Sequence, residues 1–145
     1  MSAAESRALI ERYWKALGDR DAEGWIACHA ADAAADDYGV GDFCKGEAEL
    51  RRHINEYFAA VPPGGEAILH DVVVFEDGAR FQLEWTMRGR LEGTFGPSTE
   101  TTMGKADGQP FEARGVSIGE IQNGLFVHCR HYWNTVSPRG DTDGR

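Results

Sequence analysis

The chain has 145 residues, enough for one core that needs neither disulfides nor a structural metal. Its 24 Asp and Glu outnumber its 15 Lys and Arg, and the net charge of −9, with the basic residues scattered, argues against nucleic acid and anionic membrane as partners. No window approaches the ~18 apolar residues of a spanning helix and the N-terminus shows no basic flank before an apolar run, so a cytoplasmic protein is expected.

Ser2 and Glu5 have the spacing of a capping box, and Ile10, Tyr13, Trp14 and Leu17 then recur with helical period up to Gly18. Asp21 can cap a short second helix through Trp25, Ile26 and Cys28. The stretch that follows loses helical periodicity and can hold a short strand around Ala35 to Tyr38. A third helix is predicted from Leu50, Ile54, Tyr57, Phe58 and Val61, ended by the run from Pro62 to Gly65.

From there the pattern is that of strands. "AILHDVVVF" and "ARFQLEWTMRGRL" flank the hairpin signal Glu76-Asp77-Gly78, and the second run alternates Phe81, Leu83, Trp85 and Met87 against Gln82, Glu84, Thr86 and Arg88. The Gly, Thr and Pro-rich segment "GTFGPSTETTMGKADGQP" predicts a strand plus a mobile loop. "FEARGVSIGEI" and "LFVHCRHYWN" form a closing hairpin about Gln122-Asn123-Gly124. Helices first and strands afterwards predict an α+β domain over residues 1–134, with 135–145 a disordered tail.

On the last strand, alternation sends Val127, Cys129, His131 and Trp133 one way and Phe126, His128, Arg130 and Tyr132 the other. His128 and His131 are thereby separated, and the tempting metal pair fails because zinc needs convergent ligands. The odd, widely spaced Cys28, Cys44 and Cys129 read as buried free thiols. His131 is either a general acid or base or a core histidine; Cys129 shares its face. Asp36 and Asp37 oppose each other on a strand, so at most one enters the interior, and a turn in which both face water is the alternative. Tyr13 lies on the apolar face of the first helix, and His53, at the edge of the third, is expected to be exposed or half-exposed.

The segments "LIERYWKALGDRDAEGWIACHAADA" and "FEARGVSIGEIQNGLFVHCRHYWN" resemble the nuclear transport factor 2-like superfamily, in its SnoaL-like polyketide cyclase and ketosteroid isomerase branch, over roughly residues 5 to 134. The resemblance implies a cone-shaped domain, three N-terminal helices packed on a curved antiparallel sheet enclosing an apolar cavity, commonly as a homodimer. Tyr13 matches the tyrosine that donates to the dienolate oxygen of ketosteroid isomerases, and Asp37 their proton-shuttling carboxylate. Their protonated aspartic acid falls at Ser117. In polyketide cyclases the catalytic aspartate of the last strand falls at His131, and a histidine of the preceding strand again at Ser117. Limonene-epoxide-hydrolase relatives also place an aspartate at the His131 position.

The resemblance thus implies a cofactor-independent biosynthetic cyclase acting on a small apolar carbonyl-bearing substrate, with Tyr13, Asp37 and His131 catalytic. Trp14, Tyr57, Trp85, Ser117, Cys129 and Trp133 are the expected substrate-binding residues, with no metal and no cofactor. An isomerase, an epoxide hydrolase and a non-catalytic binder of an apolar ligand are the alternatives. With Ser117 facing the cavity, Val116 and Ile118 face outward, which an interface between two copies would explain.

Overall fold

The computed structural model describes residues 2–136. Helix α1 (Ala3–Gly18) opens with the capping box: Ser2 Oγ accepts from the Glu5 amide at 3.1 Å while the Glu5 carboxylate accepts from the Ser2 amide at 2.7 Å. It buries Leu9, Ile10, Tyr13, Ala16 and Leu17 on one face. Asp21 caps α2 (Ala22–Ile26) through the Gly24 amide, and α3 (Glu47–Ala60) buries Leu50 and Ile54.

The strands are β1 (His29–Asp37), β2 (Asp42–Lys45), β3 (Glu66–Val74), β4 (Arg80–Leu91), β5 (Gln109–Gln122) and β6 (Leu125–Thr135). They form one six-stranded sheet in the order β2-β1-β6-β5-β4-β3. Long antiparallel pairings of β5 with β4 and β6 supply its centre, and both hairpin signals are used: Gly78 has φ 72°, and Asn123 and Gly124 have φ 52° and 78°. The helices lie against one face, and the curved sheet with its helical cover makes the expected α+β cone.

Five features differ from the sequence reading. Strand β1 begins at His29 rather than near Ala35 and carries the short partner β2. Its pairing with β6 is parallel, the one departure from an antiparallel sheet, because α3 and the β3–β5 meander intervene before the chain returns beside it. The Gly, Thr and Pro-rich segment forms the short helix α4 (Thr99–Met103) where a strand was expected. On β6, Glu120 faces His128 but Ile121 faces Phe126, so Val127 is an extra residue. That bulge reverses the alternation before it and turns Phe126 into the core, the opposite of the strict two-residue pattern. The last strand also extends to Thr135; most of the expected tail, 137–145, lies outside the described residues.

The core between helices and sheet gathers Leu9, Ile10, Leu50, Ile54, Ile121 and Phe126, all almost completely buried. Each such side chain contributes about 1.5–3 kcal/mol by leaving water. No described helix is long and apolar enough to cross a membrane.

Candidate active site

Between α1, α3 and the concave sheet face lies a cavity with about 620 Å³ of space free of protein atoms, its open mouth included. The structure brings Tyr13, Asp37 and His131 together on its wall, and Trp14, Tyr57, Trp85, Ser117 and Trp133 line it as well. Cys129 does not reach it. It is fully buried in the core two residues before His131, and burial pushes its thiol well above the ordinary range.

Asp37 ends β1, where Asp36 points to the opposite face and bonds His128 at 2.8 Å. Oδ1 of Asp37 accepts from Trp133 Nε1 at 2.7 Å, the Gly39 amide at 2.9 Å and the Val40 amide at 3.3 Å. These donors hold the carboxylate in place and leave Oδ2 open. Burial raises the Asp37 pKa, while His53, Trp133 and the two amides act against that rise. A buried carboxylate with one free oxygen is chemically a base, better matched to neutral pH than an exposed one.

Two glycines make room for this arrangement. A Cβ on Gly39 would stand 2.0 Å from the Trp133 ring, and one on Gly115 would stand 2.5 Å from Trp85 and 2.6 Å from Trp133. Only residues without a side chain let both indoles lie against the backbone with their N–H groups turned into the site.

Beside Asp37 on the same sheet face, Ser117 and His131 are direct cross-strand partners of β5 and β6. Trp85 Nε1 lies 2.9 Å from Ser117 Oγ, and Ser117 Oγ lies 2.6 Å from His131 Nδ1. The indole N–H donates to the serine oxygen, and Nδ1 is the only acceptor for the serine proton among the described residues, so that proton goes to Nδ1. His131 therefore carries its hydrogen on Nε2, and this donor has no protein partner among the described residues. Burial lowers the His131 pKa to about 3, with smaller contributions from His53 and His29, so the imidazole stays neutral and presents a donor to a substrate oxygen. Burial likewise raises the Tyr13 phenol well above its ordinary value, which keeps it a proton donor too.

His53 is the residue the sequence reading placed at a surface. It faces the cavity instead, its side chain only 12% exposed, with Nε2 at 3.8 Å from Asp37 Oδ2. Its Nδ1 lies 2.7 Å from Asp42 Oδ2, and Arg52 bonds the same carboxylate at 2.9 and 3.1 Å. The hydrogen bond from His53, together with Arg52, holds Asp42 far below the usual carboxylate range; Asp42 is thus an acceptor that fixes the hydrogen on Nδ1. The signal that could have found this is the short sequence distance between Asp42, which opens β2, and the α3 edge that carries Arg52 and His53.

Asp42, Cys44 and His53 converge closely enough to ligate a metal. Arg52 also bonds Cys44, at 3.4 Å, and burial raises that thiol to about 12. A guanidinium in contact with two of the three ligands, and a thiol that keeps its proton, fit an ion pair rather than a metal centre.

A curved six-stranded sheet closed by helices is the cone fold of the nuclear transport factor 2-like class. The chain belongs to the SnoaL-like domain family, whose profile matches residues 10–129. No curated protein matches the sequence. Among solved structures it is similar to a candidate polyketide cyclase from Xanthomonas campestris pv. campestris, with 20% identity, 92% of this chain and 93% of the other covered, and a TM-score of 0.73. It is similar to a second candidate polyketide cyclase, from Pseudomonas putida KT2440, with 23% identity, 92% of each chain covered and a TM-score of 0.71. SalBIII, an epoxide hydrolase/cyclase-like enzyme with a role in pyran ring formation in the polyether salinomycin, covers 90% of this chain and 92% of its own at 12% identity and a TM-score of 0.71. Likeness at these identities establishes the fold.

Proposed function

We propose that the protein is a cofactor-independent enzyme of the cyclase or isomerase type that acts on a small, largely apolar carbonyl compound. The observation that carries the reading is the division of labour at Asp37: Oδ1 is saturated by three donors and Oδ2 is open, in a cavity that also holds the free Nε2–H of the neighbouring His131. Asp37 Oδ2 removes the proton next to the carbonyl. His131 Nε2–H and the Tyr13 hydroxyl stabilise the enolate oxygen, and the aromatic walls fold the substrate so that its reacting ends meet. His131 is a donor here, not the base. Membership of the SnoaL-like family and the cyclase names of its structural neighbours support ring closure over simple isomerisation.

The test uses a probe that asks only for a carboxylate base in an apolar pocket, 5-nitrobenzisoxazole, whose ring opens to a coloured phenolate when its C–H proton is removed. The wild type is expected to turn it over, and Asp37→Asn to lose about 10²–10⁴ in rate. Equal rates for the two proteins would overturn the assignment of Asp37.

A second copy of the chain is proposed as the partner of the outer sheet face. Tyr38, Phe43, Val116 and Tyr132 are exposed there, with Tyr38 and Tyr132 stacked at 4.7 Å. Beside them Asp36–His128 and Glu120–Arg130 pairs offer both signs of charge, as a self-complementary interface requires.

A further inference from the structure

The cavity's charge inventory is one-sided. Asp37 brings a carboxylate with an open oxygen, and no Lys or Arg lines the cavity among the described residues. The nearby Asp42 adds nothing, because Arg52 and the Nδ1–H of His53 already answer its charge. His53 Nε2, at 3.8 Å, stands beyond hydrogen-bond distance of Asp37 Oδ2.

Around that carboxylate the wall is a chain of aromatic rings. Phe95 is stacked on Trp133 at 6.4 Å and meets Tyr57 edge-on at 5.1 Å, and Trp85 lies 6.4 Å from Trp133 on the other side. A carboxylate oxygen makes its strongest hydrogen bonds to charged N–H donors, and the rings beside it offer the carbon skeleton of a ligand an apolar surface. An anion in the same place is repelled by Asp37 and finds only the neutral donors of His131 and Tyr13 to receive it. The net charge of −9 extends the preference outward by concentrating cations at the mouth.

We propose that the cavity binds protonated amines, the ammonium group seated on Oδ2 of Asp37 and the carbon skeleton on Trp133, Phe95 and Tyr57, and that it refuses carboxylates and phosphates. The proposal rests on reading the cavity as a ligand site and adds the charge of the ligand. Because the ammonium occupies the base, such a ligand is a competitive inhibitor of benzisoxazole opening, and substrates reach the site as neutral carbonyl compounds rather than as acids.

The experiment is a tryptophan-fluorescence titration of the full chain at pH 8 with three probes of one size: benzylammonium, benzyl alcohol and benzoate. Benzylammonium is expected to bind about tenfold more tightly than benzyl alcohol, and benzoate more weakly than both. Asp37→Asn should erase the preference while benzyl alcohol still binds. Equal binding of the ammonium and the alcohol, tighter binding of benzoate, or a preference that survives in Asp37→Asn overturns the proposal. Turnover of 5-nitrobenzisoxazole without an ammonium preference sinks this inference alone; no binding and no turnover sinks the ligand-site reading with it.

Discussion

Trp133 and Asp37, 96 positions apart in sequence, meet through a 2.7 Å hydrogen bond from the indole Nε1 to Oδ1. The parallel pairing of β1 with β6 makes that contact, since Asp37 faces His131 in register and Trp133 follows two residues on. The bond favours the ionised carboxylate, so Trp133→Phe lets Asp37 keep its proton to higher pH. The base exists only above that midpoint, and the rising limb of the pH–rate profile for 5-nitrobenzisoxazole should move up by about 1–2 units. An unmoved limb would separate Trp133 from the base.

His53 acts on the same carboxylate from the other side. Its side chain works against the burial-driven rise of the Asp37 pKa. His53→Gln should therefore also shift the limb to higher pH, by at least as much as Trp133→Phe, because His53 is the stronger of the two influences that oppose burial at Asp37. A purely structural role predicts a lower melting temperature with the limb in place.

Alternation separated His131 and Trp133 from His128, and Asp37 from Asp36, while the inward placing of Asp37 and Ser117 came from the family resemblance; the cavity wall carries Asp37, Ser117, His131 and Trp133. Local rules of this kind act within a few residues, and they hold where pairing is regular. They failed where a distant partner decides. The bulge at Val127 reverses Phe126, a phase change that no two-residue period carries. The placement of His53 depends on how α3 sits against the strand β2 that supplies Asp42, and the parallel β1–β6 pairing joins segments about ninety residues apart in sequence. The short helix α4 forms in a Gly, Thr and Pro-rich segment without a side-chain cap, so it leaves no capping signal to read. Gly39 and Gly115 look like loop and strand glycines until the indoles they seat are seen.

Gly39→Ala tests that seating. A methyl 2.0 Å from the Trp133 ring cannot be accommodated without moving it, and the displaced ring takes its N–H from Asp37. The expected cost is about 1–3 kcal/mol of stability, read as a lower urea midpoint. The pH–rate limb should shift in the direction given by Trp133→Phe, and the near-ultraviolet dichroism should change with the moved indole. Wild-type values on all three measurements would mean the site tolerates the methyl.

Acid should loosen the fold through two buried imidazoles. Burial lowers His29 to about 4 and His131 to about 3, against 6.5 for a free side chain. As pH falls from 6.5, the unfolded chain takes up protons that the native protein refuses, so the stability these groups contribute is complete above 6.5 and lost toward 4 and 3. Asp37, raised by burial, works the other way and offsets part of the loss. The urea midpoint is expected to be lower at pH 5 than at pH 7.5, with the difference reduced in His29→Gln, whose Nδ1 bond to the Trp25 carbonyl at 2.8 Å an amide can replace. A flat midpoint in the wild type would contradict the buried neutral state of both rings.

The last prediction concerns the outer face. Tyr132 is exposed and touches no part of the cavity, so Tyr132→Asp should change the stability of a single chain by no more than about 0.5 kcal/mol. In a pair of chains related by a two-fold axis the same substitution enters the interface twice and places buried carboxylates where the Tyr38–Tyr132 stack was. Sedimentation at micromolar concentration is expected to give a dimer for the wild type and a monomer for the variant. Turnover of 5-nitrobenzisoxazole per chain should be retained, because Asp37 and its three donors all come from one copy. A wild-type chain that sediments as a monomer would leave the exposed aromatic patch without a second copy to cover it.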